Sequence, residues 1–139
     1  KKIEKLLNVP TERYTNYTGV EPVDVLLLDT IGMLSRIYKY ADIAYVGGAF
    51  KEGLHNILEP AAYGCPVISG PDIAGFPEAA DMEKAKALVR VKDYNELETI
   101  INQWADNQKE RDVVSADALT FIQSHAGATQ KVVDELKSF

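Results

Sequence analysis

Ile43-Ala44-Tyr45-Val46-Gly47-Gly48-Ala49-Phe50-Lys51-Glu52-Gly53-Leu54-His55-Asn56-Ile57-Leu58-Glu59-Pro60 is the stretch whose reading decides the fold. Ile43 to Val46 is a short apolar run of strand type, and the Gly47-Gly48 pair breaks it. Asn56 to Tyr63 then reads as a helix that ends at Gly64, a residue suited to a left-handed C-terminal cap. Strand, glycine turn and helix in this order are the repeating unit of a parallel sheet with helices packed on its faces.

The pattern extends in both directions. Val23 to Leu28, Pro66 to Ser69 and Ala87 to Val91 are further strand-length apolar runs. Runs without polar alternation belong to strands covered on both faces. Between the first two strands, Ile31, Leu34, Ile37, Tyr38 and Ala41 recur at helical spacing, with Ser35, Arg36 and Lys39 left for water. The last third carries no strand: Asn95 to Asn107, Glu110 to Ser124 and Thr129 to Phe139 read as helices, the last two separated at Gly127. The expected fold is therefore α/β, a parallel sheet with helices on both faces and a helical C-terminal tail, in one domain over residues 1–139. Lys1 to Leu7 reads as the remainder of a helix with no strand before it, which points to a piece of a longer protein.

Composition fits such a domain. The 139 residues are enough for one continuous core, with 46 % hydrophobic and 26 % charged residues and no biased tract. Lysine plus arginine total 15 against 21 acidic residues, a net charge of -6 that disfavours nucleic acid as a partner. A small phosphorylated ligand stays compatible, because main-chain N–H groups at a helix start bind phosphate without a cationic side chain. Cys65 is the single cysteine, so no disulfide forms within the chain, and a reducing compartment is expected. No apolar run reaches the roughly 18 residues of a membrane-spanning helix.

Three stretches can carry chemistry. The first is Gly47 to Pro60, since ligands of open α/β sheets bind beyond the carboxyl ends of the strands and glycine lets backbone come close to them. The helix after it would aim its free N–H groups into that crevice, and His55 can add a hydrogen-bond donor. Asn56 and Glu59 have the spacing of an N-cap and its third residue, so a capping-box variant accounts for them without a ligand. Alternatively the Glu59 carboxylate offers two acceptors to the adjacent hydroxyls of a ribose. The second stretch is Asp29-Thr30-Ile31-Gly32-Met33, where Gly32 can admit a base or ribose and Asp29 with Thr30 can equally be helix caps. The third is Ser69-Gly70-Pro71, a rim loop within reach of a sugar. Cys65 reads as a small buried side chain, His125 as a residue favoured at a helix C-terminus, and Trp104 with Ile100 and Ile101 as helix packing. Metal-ligand spacing is absent from the sequence.

In these stretches the chain resembles the 3-deoxy-D-manno-octulosonic acid (Kdo) transferases, which build the inner core of lipopolysaccharide. The resemblance runs through Asp29-Thr30-Ile31-Gly32 followed by Tyr38 and Ala41-Asp42, then Val46 to Phe50, then Gly53 to Pro60 leading to Gly64-Cys65-Pro66-Val67, with Gly70-Pro71 after them. It covers essentially the whole chain. Met33 stands where many members have glutamate, and Leu54 where many have a second glycine.

The resemblance implies a Rossmann-like domain, the C-terminal half of a two-domain GT-B glycosyltransferase. That half holds the donor CMP-Kdo, while the absent N-terminal half holds the acceptor, a lipid A precursor. The implied donor contacts are Ile31, Gly32 and Met33 near the nucleotide, and Asn56, Ile57, Leu58 and Glu59 around ribose and phosphate; Gly47, Gly48 and His55 join them from the turn's own position at the strand end. It also implies an inverting, metal-independent displacement without a cofactor, whose general base is a glutamate of the N-terminal half. No catalytic residue is then expected in this chain, which should bind nucleotide weakly and transfer no sugar alone. The whole enzyme would work at the cytoplasmic face of the inner membrane of a Gram-negative bacterium. From the residues alone, a GT-B transferase using a UDP-sugar and a non-catalytic nucleotide-binding module remain open.

Overall fold

The computed structural model describes residues 5–51 and 53–138, which fall into two compact units that divide between Ile37 and Tyr38. In the first unit β1 (Thr11–Arg13) and β2 (Val25–Leu27) pair in parallel, with Thr11 opposite Val25 and Arg13 opposite Leu27. β2 falls inside the expected Val23 to Leu28 run. β1 was not expected, because Thr-Glu-Arg carries no apolar signal: all three residues are half-buried, and main-chain pairing is invisible to hydrophobic periodicity. α1 (Leu34–Ile37) is a single turn with no buried residue, and a 3₁₀ turn, Tyr38–Tyr40, opens the second unit. The longer helix read from Ile31 to Ala41 does not form as such, since a helix burying little has nothing to offset its nucleation cost. Of the helix read over Lys1 to Leu7, the first four residues lie outside the described residues, Lys5 and Leu6 form a turn, and Leu7 is irregular.

The second unit is built on β3 (Ala44–Val46), β4 (Val67–Ser69) and β5 (Leu88–Arg90), a parallel sheet in the order β3-β4-β5. Ala44 faces Val67 and Val67 faces Leu88, a register that places the three strand ends along one rim. β4 is central and fully buried, as its run of Val, Ile and Ser without alternation requires. Helices lie on both faces. Val67 and Leu88 join Leu54, Ile57 and Ala61 near α2 (Leu58–Ala62), Ala79 and Met82 of α3 (Pro77–Lys84), and Ala118 and Phe121 of α5 (Gln108–His125). On the opposite face Ile68 and Val91 meet Trp104 of α4 (Tyr94–Asp106), with Leu97 and Ile100 beside it. Trp104 is thus a packing residue, as its helical spacing with Ile100 indicates, whereas Ile101 is partly exposed.

Local chemistry sets the helix ends. Asp93 Oδ1 accepts the Glu96 amide at 3.0 Å to start α4, and Asn107 Oδ1 accepts the Glu110 amide at 3.3 Å to start α5. α2 ends in a Schellman arrangement: the Gly64 amide donates to Ala61 O at 2.9 Å, the Cys65 amide donates to Pro60 O at 3.1 Å, and Gly64 takes φ +69°. α5 ends at His125, whose ring stacks on Phe121 with centroids 4.1 Å apart. α6 (Ala128–Lys137) follows Gly127; Phe139, the expected end of that helix, lies outside the described residues. Among the described residues no helix is long and apolar enough to cross a membrane.

Candidate functional site

The rim at the C-terminal ends of β3, β4 and β5 is organised by the turn after β3. His55 N donates to Gly47 O at 3.2 Å and Lys51 N to Gly48 O at 3.0 Å, closing the turn on itself. Gly48 has φ +96°, and a Cβ on it would lie 2.0 Å from Gly53 O. Gly48 is therefore required by the turn's own packing, not by a ligand. A Cβ on Gly47 would meet nothing within 4 Å, so Gly47 is the member of the pair beside open space. The neighbouring loops are tied to this turn. Asp72 N donates to Ala49 O at 3.0 Å, and the Phe50 ring covers Gly70 so closely that a Cβ there would come within 2.8 Å of it.

Beyond the turn, His55, Asn56, Leu58 and Glu59 are exposed and Ile57 is buried. Asn56 Oδ1 accepts from the amides of Leu58 at 3.0 Å and Glu59 at 3.3 Å, and Asn56 Nδ2 donates to Glu59 Oε1 at 3.0 Å. This is the capping-box variant that the spacing allowed. It corrects the expectation of free N–H groups at the helix start: Asn56 takes the first two, and Pro60 has none to offer. The polar groups left open are the second N–H of Asn56 Nδ2, Glu59 Oε2 and the His55 ring, none of which has a partner among the described residues. Ile57, 2 % exposed, is anchored in the core and can meet a ligand only through its main chain.

Tyr38, on the 3₁₀ turn that packs against α2, has its phenol pushed up by burial first, then by the nearby Glu59 carboxylate, with Cys65 adding to it once ionised. The pattern that singled out Glu59 gave no sign of this neighbour. Burial, with a smaller contribution from Asp42, pushes the Cys65 thiol up to about 11, which fits the expected inert side chain. A depression of about 540 Å³ lies where the β4 rim continues, lined by Pro71 to Pro77, Ala80 and Arg90. Arg90 is held there by Glu83 at 3.0 Å and by Pro71 O at 3.4 Å. None of the residues singled out in the sequence lines it except Pro71, and Arg90 had no motif to mark it.

In the first unit, Ile31 is fully exposed, Met33 is half-buried and Gly32 takes φ +84° with open space around it. Asp29 does not cap a helix. It accepts the Thr15 hydroxyl at 2.8 Å and the Thr15 amide at 3.2 Å, and Arg13 approaches it at 3.4 Å. The Thr15 hydroxyl foremost holds the Asp29 carboxyl below its ordinary value. Among the described residues no cluster of three or more histidine, cysteine or acidic side chains is placed to hold a metal.

A parallel α/β sheet with a glycine turn and a polar helix start at its carboxyl rim belongs to the class of open α/β domains that take ligands beyond the ends of their strands. The family Glycosyl transferases group 1 matches residues 23–120, and the chain belongs to it. Among proteins of that kind it is similar to 3-deoxy-D-manno-octulosonic acid transferase of Bordetella pertussis, 37 % identical over 84 % of this chain and 28 % of that protein. The enzyme of the same description from Haemophilus influenzae is 32 % identical over 91 % of this chain and 30 % of its own length. The chain thus spans about three-tenths of these relatives. It is also similar to the crystal structure of the C-terminal CMP-Kdo binding domain of WaaA from Acinetobacter baumannii, with a TM-score of 0.77 and 26 % identity over 88 % of this chain and 65 % of that one. The resemblance to Kdo transferases and the α/β fold read from the sequence are both borne out.

Proposed function

We propose that this chain is the donor-binding domain of a Kdo transferase, holding CMP-Kdo while a separate N-terminal domain presents a lipid A precursor. The observation that carries this reading is the 88 % overlap with a CMP-Kdo binding domain at a TM-score of 0.77. The open groups at the β3 rim agree with it: Glu59 Oε2 is an acceptor suited to a ribose hydroxyl, and the free Asn56 N–H and the His55 ring are donors suited to a phosphate oxygen. Gly47 supplies the open main chain beside them. Within the first unit, taken by itself, Ile31, Gly32 and Met33 are proposed as nucleotide contacts.

In the transfer, a base of the other domain takes the proton of the acceptor hydroxyl as its oxygen bonds to the anomeric carbon. The bond from that carbon to the CMP phosphate breaks, and CMP leaves with the electron pair. This chain's part is to bind the nucleotide and to stabilise the charge on the departing phosphate by hydrogen bonds; the general base is assigned to the other domain, and the reading invokes no metal or cofactor. In this reading the whole enzyme works at the cytoplasmic face of the inner membrane, where a lipid acceptor is within reach.

The test is a titration of the isotope-labelled chain with CMP and with UMP at millimolar concentration. Selective shifts with CMP at the amides of Gly32, Gly47 and Asn56 to Glu59 are expected. Equal shifts with UMP would favour a UDP-sugar transferase, and no shifts in the folded chain would remove the assignment of these residues. A second reading, in which Asn56 and Glu59 only close the helix start, is favoured by their 3.0 Å bond and is separated by substitution of Glu59, argued below.

A further inference from the structure

The first unit contains a clamp that no residue pattern announces. The last main-chain rung between its strands is Tyr14 N to Leu27 O at 2.9 Å. Beyond it the chain turns away, and the amides of Asn16 and Tyr17 bond back to Arg13 O at 3.0 and 2.9 Å. The intervening residue, Thr15, sends both of its donors to one side chain: its amide to Asp29 Oδ1 at 3.2 Å and its hydroxyl to Oδ2 at 2.8 Å. Arg13 adds a cation at 3.4 Å, and the Asp29 side chain is only 20 % exposed. A carboxylate thus takes the place of the next rung and joins the loop after β1 to the loop after β2.

The loop that Asp29 introduces, Thr30 to Met33, has little else to hold it. Ile31 is fully exposed, Gly32 has nothing within 4 Å of its Cβ position, and Thr30 is exposed. Its far end is fixed by Met33 O, which accepts from the amides of Arg36 at 3.0 Å and Ile37 at 3.2 Å at the start of α1. Its near end is fixed by the Asp29 carboxylate. A loop in which only Met33 is half-buried depends for its shape mainly on such end anchors.

We infer that Asp29 and Thr15 are positioning residues for nucleotide binding, their clamp setting the direction in which the Ile31–Met33 main chain and the Ile31 side chain meet the base. The inference rests on the donor-binding reading above. Asp29 and Thr15 do not themselves touch the nucleotide; they act through the loop between the two anchors. An ionised carboxylate suits this task, because hydrogen bonds to a charged acceptor are stronger and more directional than neutral ones.

The experiment measures CMP affinity of the parent chain, T15V, T15S, D29N and the double variant T15V/D29N, each at a temperature well below its own melting point. T15V and D29N are expected to bind CMP about tenfold more weakly, the effect of losing a hydrogen bond to a charged group. T15S keeps both donors and should stay within about twofold of the parent, and the double variant should bind no more weakly than D29N alone, because one interaction is removed in both. Free-state backbone order parameters at Ile31 to Met33 should fall in T15V and not in T15S. T15V or D29N that is folded by circular dichroism and binds CMP as the parent does overturns the clamp and leaves the donor reading standing. A folded parent that does not bind CMP overturns both.

Discussion

Asn56 and Glu59 are bonded to each other across the start of α2, Nδ2 to Oε1 at 3.0 Å, and the same asparagine caps the Leu58 and Glu59 amides. One carboxylate oxygen is thereby committed to the helix and the other remains open to the rim. Structural and ligand-binding roles need not compete for Glu59, since they use different oxygens of one group.

This division makes Glu59→Gln informative. Glutamine keeps a carbonyl oxygen for Asn56 Nδ2, so the cap survives and the melting temperature should fall by no more than roughly 2 °C. The second position becomes an amide that cannot accept from a ribose hydroxyl. CMP affinity is expected to drop by about tenfold or more. Calorimetric titration beside a thermal melt reads both, and unchanged affinity would leave Glu59 a helix residue only.

Asn107 offers a control, because it starts α5 with the same chemistry: its Oδ1 accepts the Glu110 amide at 3.3 Å and its Nδ2 donates to Glu110 at 3.4 Å. Asn56→Ala and Asn107→Ala should each cost about 1 kcal/mol of stability, roughly 3 to 5 °C in melting temperature. Only Asn56→Ala should also weaken CMP. Equal loss of affinity in both variants would trace the effect to general destabilisation.

The same pair marks how far the sequence could be read. Residue types and spacing identified the helix start at Asn56, the Gly64 cap and the buried β4 run, because each depends on local chemistry or on one strong apolar signal. β1 escaped, since Thr11 to Arg13 is held by main-chain bonds to β2 rather than by apolar burial. The Thr15 contact of Asp29 escaped for a related reason: a carboxylate's partner 14 residues away leaves no trace in local spacing. Gly48 was legible as a glycine but not in its purpose, because the Gly53 carbonyl that fills its space is brought there only by folding.

Gly47 and Gly48 should consequently respond differently to alanine. At Gly48 the added carbon meets the Gly53 carbonyl at 2.0 Å on a φ of +96°, so Gly48→Ala should lower stability by about 2 kcal/mol or more and broaden the amide signals of the turn. At Gly47 the carbon enters open space, so Gly47→Ala should fold normally. The effect of Gly47→Ala on CMP then reports on close ligand approach, free of any folding loss. Matching thermal melts for the two variants would contradict the packing described for the turn.

Cys65 gives a pH signature. Its thiol is buried and pushed from 9.0 up to about 11, so the folded state holds the proton where the unfolded chain releases it. Protons lost on unfolding favour the unfolded state as pH rises, so this contribution is intact below about pH 9 and is lost progressively through about pH 11. Cys65→Ala removes the titrating group, and its stability should fall less steeply over that window than the parent's in urea unfolding at stepped pH. At pH 8 the parent thiol should react with a disulfide reagent only at the rate of opening, with full reactivity regained in denaturant. Rapid modification of the folded chain would mean that Cys65 is reached by solvent, and the alkaline loss of stability would then need another titrating group.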